Sequence, residues 1–208
     1  MSQILSDIFL FHPEKPLIFT RFFFWGFYLV VLLIYSGIYR QRAVRNAFLF
    51  AASLFFYLKT SGLFFLILVF STFSDYYLGK LIYSARKKEW KKFGVIMSVF
   101  VNLFMLSYFK YTYLFVDTVN SLFNLDVEVV NHLALWSNRL TGTHFDVSVI
   151  LLPVGISFYT FQTISYTVDI YRGKVDPVRH ILDFGFYVSF FPQLVAGPIV
   201  RASEFIPQ

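Results

Sequence analysis

Residues 151–208 read LLPVGISFYTFQTISYTVDIYRGKVDPVRHILDFGFYVSFFPQLVAGPIVRASEFIPQ, and they decide the fold. They contain two apolar runs, 150–171 and 181–200, joined by a junction carrying Arg172, Lys174 and Arg179. In the first run Gly155, Gln162, Tyr166 and Asp169 recur at spacings of seven, four and three, with Ser165 alongside, which puts them on one face of a helix. A membrane helix turns such a stripe toward protein or a cavity, because an unpaired polar group in lipid costs several kcal/mol. Pro153 fits the first turn of this helix, where a missing N–H does little harm. In the second run Gly185, Ser189, Gln193 and Gly197 recur every fourth residue, a stripe that lets another backbone approach closely. Pro192 removes the hydrogen bond to the Val188 carbonyl and breaks or kinks the helix, and Gly197-Pro198 stops regular structure. Broken backbone at membrane depth survives only inside protein or beside a wet cavity, so this segment is expected to be central. Taken alone, the stripes are read as helix packing, with Ser and Gln bonding across neighbours for ~0.6 kcal/mol each.

Outward from this stretch, the whole chain is apolar. Its hydrophobic fraction is 57% and its charged fraction 14%, against roughly 45–50% and 25% in soluble chains, and its mean hydropathy is +0.63. These values predict an all-α, polytopic transmembrane helical bundle. No linker, low-complexity run or repeat divides the 208 residues, so they are read as a single transmembrane domain. The net charge of +6 sits in short junctions between apolar runs, where membrane orientation accounts for it. No groove-reading motif accompanies it, and no nucleic-acid partner is expected. Cysteine is absent, which excludes disulfides, Cys-ligated zinc, a thiol nucleophile and S-acylation. No metal site is expected, and the first sixteen residues lack a signal-peptide pattern.

The upstream runs are 17–39, 46–58, 62–83 and 93–116, giving about six crossings in all. The 46–58 run reaches only ~20 Å against a ~30 Å hydrocarbon core. If it crosses, the junctions with three, five and three cations around 40–45, 84–92 and 172–179 share one face. The acidic segment 117–147, holding Asp117, Asp126, Glu128 and Asp146, then takes the other, as the positive-inside bias requires. That places the amino terminus and the 117–147 loop outside the cell membrane, with a short interfacial helix expected near 119–125. Asp75 and Lys110 lie inside apolar runs, at ~12 Å and ~26 Å from the cytoplasmic end. Bonding of Asp75 to neighbouring Ser or Tyr hydroxyls, with Lys110 snorkelling, is favoured over an ion pair.

At these residues the sequence resembles the membrane-bound O-acyltransferase family, in the bacterial branch of alginate O-acetyltransferase and lipoteichoic acid D-alanyltransferase. The resemblance rests on Leu152-Pro153-Val154-Gly155-Ile156-Ser157-Phe158-Tyr159-Thr160-Phe161-Gln162, on Ser165-Tyr166, Asp169 and Tyr171-Arg172-Gly173, and on Phe190-Phe191-Pro192-Gln193-Leu194, Ala196-Gly197-Pro198-Ile199 and Arg201. Residues 71–78 and 108–111 match weaker patterns. The resemblance implies part of a ring of membrane helices around a tunnel in the inner (plasma) membrane. It implies an acyl donor, such as acetyl-CoA or a carrier-protein thioester, engaged from the cytoplasm, with no bound cofactor. The acyl group goes to a hydroxyl of an exported polysaccharide or envelope glycan, often with partner proteins. By this resemblance Ser157, Gln162, Tyr166, Asp169, Arg172, Gln193 and Arg201 are candidate substrate-binding residues, and Pro153, Gly155, Gly173, Pro192, Gly197 and Pro198 are structural. The family's catalytic histidine lies in a later helix. His12, His132, His144 and His180 do not occupy that context, so the chain is expected to be an amino-terminal portion without the base. A transporter or flippase segment, or an inactive structural one, stays open as an alternative.

Overall fold

The computed structural model describes residues 22–141, 146–150, 152–197 and 200–205, and all regular structure among them is helical. The helices are α1 (Phe22–Ile38), α2 (Arg42–Ser61), α3 (Phe65–Ser84), α4 (Lys88–Phe123), α5 (His132–Thr141), α6 (Ile156–Tyr171), α7 (Ile181–Ser189), α8 (Phe191–Ala196) and α9 (Ala202–Phe205). The chain divides into two compact units, Met1–Asn102 with Val154–Gln208, and Leu103–Pro153.

In the first unit α6 packs on α3, and α7 packs on both α2 and α3. Their core is aromatic and branched: Phe56, Leu68, Ile82, Tyr166, Phe184, Tyr187 and Val188 are buried. The Tyr166 and Phe184 rings lie 4.4 Å apart between α6 and α7. Small residues set the approach of the helices. A Cβ on Gly79 would stand 2.8 Å from the Tyr166 ring, and one on Gly185 would stand 2.7 Å from the Phe50 ring.

Each helix end has a local cause. α2 closes at Gly62, whose φ of 59° lets its N–H return to the Leu58 carbonyl before a 3-10 turn leads into α3. α6 ends in a Schellman motif, with Gly173 at φ 68° donating to the Ile170 carbonyl (3.0 Å) and Lys174 donating to the Asp169 carbonyl (2.9 Å). Between α7 and α8 the backbone leaves the helix at Phe190, with Pro192 in the first turn of α8. The expected break in the 181–200 run is therefore present.

Three expectations need correction. Pro153 precedes α6 rather than opening it, because Gly155, at φ 74°, takes the left-handed N-cap position and α6 begins at Ile156. The helix of the second run outreaches its thirteen apolar residues: α2 takes in Arg42, Arg45 and Lys59 and counts 20 residues, rising ~30 Å. Nor is there a separate helix near 119–125. Nothing in the sequence stops α4 before Asn124, whose φ of 49° ends it, and the short helix lies at His132–Thr141 instead.

Among the described residues two helices, α3 and α4, are long and apolar enough to cross a membrane, and α1 is apolar but has 17 residues. α1 and α3 present Phe23, Leu29, Leu33, Leu66 and Phe70 as exposed surface. A helix apolar on its outer face is at home against lipid tails.

In the second unit Asn131, itself buried, organises the loop. Its side chain accepts the Ala134 N–H at the start of α5 (3.0 Å) and donates to the Val149 carbonyl (2.8 Å), while its backbone N–H donates to the Val147 carbonyl (2.7 Å). Lys110 is exposed, its Nζ 5.5 Å from the centre of the Tyr111 ring.

Candidate functional site

The polar stripe of α6 faces inward. Gln162 is 2% exposed, Tyr166 0% and Asp169 5%. Gln162 Nε2 donates to the Tyr187 carbonyl at 3.0 Å, and the Tyr187 hydroxyl reaches the Val200 carbonyl at 3.2 Å and the Gln162 carbonyl at 3.4 Å, so α6 and α7 clasp each other. The Tyr166 hydroxyl accepts the Val178 N–H at 3.1 Å and pins the 172–180 junction. Asp169 Oδ2 is buried with no hydrogen-bond partner among the described residues. Ser157 is half-buried in the first turn of α6, and Arg172 is exposed at its end. Gln193 is half-buried in α8. Arg201 is exposed, its carbonyl accepting the Glu204 and Phe205 N–H groups that open α9. The structure thus joins Gln162 and Tyr166 to the α7 side and sets Arg172 and Arg201 on the surface. Pro198, His12 and His144 lie outside the described residues, and His132 and His180 are exposed.

Four buried hydroxyls lie on α2, α6 and α7, one of them, Ser189, directly before the α7–α8 break. Tyr57 on α2, Tyr159 and Thr160 on α6, and Ser189 at the end of α7 have no hydrogen-bond partner among the described residues. The Tyr57 and Tyr159 phenols are close enough to interact electrostatically. A Cβ on Gly155 would lie 3.0 Å from the Tyr57 hydroxyl and 3.2 Å from the Leu194 carbonyl, so the left-handed turn before α6 abuts the same region. Native interiors satisfy nearly all such groups, and each orphan calls for water, a ligand or a functional role. Such hydroxyls can donate to or accept from a hydroxyl-bearing or carbonyl-bearing guest.

Asp75, 0% exposed, forms a second polar centre between α3, α4 and α6. Ser98 Oγ donates to Oδ1 at 2.5 Å, and Asn102 Nδ2 to Oδ2 at 2.7 Å, with Ser71 Oγ 3.5 Å away. Asn102 in turn donates to the Ser98 carbonyl (2.9 Å) and accepts from Ser71 (3.0 Å) and Thr163 (3.1 Å). Ser98 also meets Thr167 at 2.9 Å. The expected hydroxyl partners of Asp75 are therefore present, with an amide beside them. Having no uncommitted donor or acceptor on its amide, this centre holds helices together and is not poised to receive a substrate.

A third feature is a cleft of about 1010 Å³ between α1, the start of α2, the 176–180 junction and α7. Its mouth carries Arg42, Arg45, Arg179 and Asp183, and its walls include Tyr35, Phe186 and Phe190. Asn46 donates to Asp183 at 2.9 Å and accepts from Arg45 Nε at 3.1 Å. Sequence reasoning placed these cations in junctions but could not assemble a cleft from residues as far apart as Tyr28 and Phe205.

No protein-family model and no solved structure matches the chain. Curated proteins do. The probable alginate O-acetylase AlgI of Azotobacter vinelandii is 34% identical over 196 residues, covering 88% of this chain and 34% of the relative. The protein of the same name from Pseudomonas aeruginosa is 34% identical over 186 residues, covering 88% and 33%. The peptidoglycan O-acetyltransferase of Helicobacter pylori is 32% identical over 181 residues, covering 76% and 31%. Over most of its own length the chain is thus similar to O-acetyltransferases of the membrane-bound O-acyltransferase type. It spans about a third of the length of the curated relatives it matches. The orphan hydroxyls of Tyr159, Thr160 and Ser189 and the α7–α8 break fall in the stretch that carries the family resemblance, whereas Tyr57 lies on α2. Tyr57 and Tyr187 were not singled out from the sequence: a tyrosine in an aromatic-rich chain carries no mark of whether its hydroxyl finds a partner.

Proposed function

We propose that this chain acts in O-acetyl transfer to hydroxyl groups of an exported polysaccharide or cell-envelope glycan, with α6, α7 and α8 walling the passage where donor and acceptor meet. The observation that carries this reading is the set of buried hydroxyls of Tyr57, Tyr159, Thr160 and Ser189 with no partner among the described residues, on the α2, α6 and α7 helices that meet the α7–α8 break. The names of the curated relatives, O-acetylases of alginate and an O-acetyltransferase of peptidoglycan, support the reaction class. Donor hydrogen bonds aimed at a developing oxyanion are a large term in acyl transfer, and phenols held without partners are preorganised for it. The base is a separate matter. Proton removal from the acceptor hydroxyl is worth about 10²–10⁴ in rate, and none of the four histidines is assigned to it. The chain supplies wall and positioning groups, among them Gln162, Tyr166 and Gln193.

The donor, acetyl-CoA or a carrier-bound thioester, is taken from the cytoplasmic side, and the acceptor from outside. The chain resides in the inner membrane with about six crossings, basic junctions inside and amino terminus outside, and acts with envelope partner proteins. Membranes carrying the protein, given radiolabelled acetyl-CoA and envelope glycan, are expected to form base-labile acetyl esters, and Tyr57→Phe with Tyr159→Phe to lower the yield at least tenfold. Because a broken membrane helix also suits a transporter, glycan movement across vesicles is measured in parallel. Movement without esterification would sink the acyl-transfer reading.

A further inference from the structure

The cleft between α1, α2 and α7 is not used by the acyl-transfer reading and does not depend on it. Its mouth gathers Arg42, Arg45 and Arg179 against Asp176 and Asp183, and Asp183 is already occupied by Asn46. α2 begins there at Arg42 with no acidic residue in its first turn and no side-chain cap from Gln41, and α7 begins there with no side-chain cap from His180. Asp183 stands in the first turn of α7 and its N–H is bonded to the His180 carbonyl, so the anion-receiving chemistry at this opening comes from the three guanidinium groups and the uncapped start of α2.

The rest of the lining is largely apolar. Leu32 and Leu182 line the cleft and are 46% and 44% exposed, and the half-buried rings of Tyr35, Phe186 and Phe190 share the wall with them. A cleft of about 1010 Å³ lies at the upper end of the ~300–1,000 Å³ of small-molecule sites. A nucleotide or a pantetheine arm would bring amides and hydroxyls that these rings cannot satisfy. An alkyl chain needs no partners and removes the exposed leucines from water. α1, which forms one wall through Val31, Leu32 and Tyr35, also carries the exposed apolar residues Leu29 and Leu33. The cleft is therefore continuous with a lipid-facing surface.

We infer that this cleft holds one anionic phospholipid, its phosphate at Arg42, Arg45 and Arg179 and one acyl chain along Tyr35, Phe186 and Phe190. The bound lipid lies along the side where α1 already meets α2 and Phe186 of α7, and adds to that contact.

The test uses the full chain in nanodiscs of mixed phosphatidylglycerol and phosphatidylcholine, read by native mass spectrometry and by thermal unfolding. One phosphatidylglycerol per chain is expected to survive removal of bulk lipid, and its presence to raise the unfolding midpoint relative to phosphatidylcholine alone. Each near-surface cation contributes about fivefold toward an anionic lipid, so Arg42→Gln, Arg45→Gln and Arg179→Gln together should weaken retention roughly 100-fold. Leu182→Trp, at a half-exposed wall position, should block the chain with the charges intact. The wild-type preference is measured on its own, so a variant that fails to fold does not decide the matter. Equal retention of the two lipids by the wild-type chain overturns the assignment. So does unchanged retention in folded Leu182→Trp, or displacement of the lipid by acetyl-CoA, which would make the cleft a donor site.

Discussion

The Asn102 side-chain amide donates to Asp75 Oδ2 at 2.7 Å and to the Ser98 carbonyl at 2.9 Å, while its oxygen accepts from Ser71 and Thr163. All its bonding positions are filled, so its orientation is fixed by three helices at once. Asn102→Ala removes the amide donor to Asp75 Oδ2, leaving that oxygen with the 3.5 Å Ser71 contact, at about 1–3 kcal/mol for a buried carboxylate oxygen losing its main partner. The expected result is a clear fall in the thermal midpoint in detergent. The Asp75→Ala/Asn102→Ala pair should cost markedly less than the sum of the singles, because both remove one network. Simple additivity would mean that the two side chains act separately.

The parts of that network were visible in the sequence, though its assembly was not. Ser71 with Asp75, Ser98 with Asn102, and Thr163 with Thr167 are each spaced by four, so three apolar helices each show one polar pair on one face. The spacing marks a face but does not say which faces meet. The same holds for α6: Gln162, Tyr166 and Asp169 were legible as an inward stripe, but the clasp of Gln162 on Tyr187 depends on the register between α6 and α7. The α7–α8 break was legible because Pro192 cannot donate a backbone bond. The end of α4 was not, because Asn124 can adopt a left-handed φ without being obliged to.

Gly185 lets α7 lie against α2. A Cβ there would meet Phe50 Cε2 at 2.7 Å, a distance real contacts do not reach, so the ring must move. Gly185→Ala is expected to destabilise by about 1–3 kcal/mol, the usual cost of overpacking a filled interior. Adding Phe50→Leu should recover part of the loss. Failure of any second change at Phe50 to rescue would place the strain elsewhere.

Asp146 accepts the Ser148 hydroxyl (2.6 Å) and the Ser148 N–H (2.8 Å), and these bonds hold its carboxyl below the ordinary carboxylate range. A lowered folded pKa means the stabilisation is fully present above the unfolded value of ~3.9 and is lost as pH falls through the lowered one. Protection of the Ser148 amide in hydrogen exchange should therefore hold at pH 5 and fade only below about pH 4. Asp146→Asn should flatten that profile. A profile that changes near pH 6 would point to a different group.

The orphan hydroxyls separate folding from function. Tyr57, Tyr159 and Ser189 each bury a hydroxyl with no partner among the described residues. Removing such a group relieves a desolvation cost rather than breaking a bond, so Tyr57→Phe, Tyr159→Phe and Ser189→Ala are expected to leave the thermal midpoint unchanged or raised by up to ~1 kcal/mol of stability. Had these hydroxyls been structural, the same changes would lower it. If they instead meet the acetyl carbonyl or the acceptor hydroxyl, acetyl-ester formation by the intact protein should fall 10²–10³-fold for a donor to the oxyanion. A loss confined to KM would mark a group that binds acceptor equally in ground and transition states. Gly155→Ala provides the contrast: it forces a side chain into φ 74° and against the Tyr57 hydroxyl at 3.0 Å, which costs ~1–2 kcal/mol from the backbone alone. It should lower stability and activity together. The two phenol variants should lower activity alone, and parallel loss of both in Tyr159→Phe would reassign that hydroxyl to the fold.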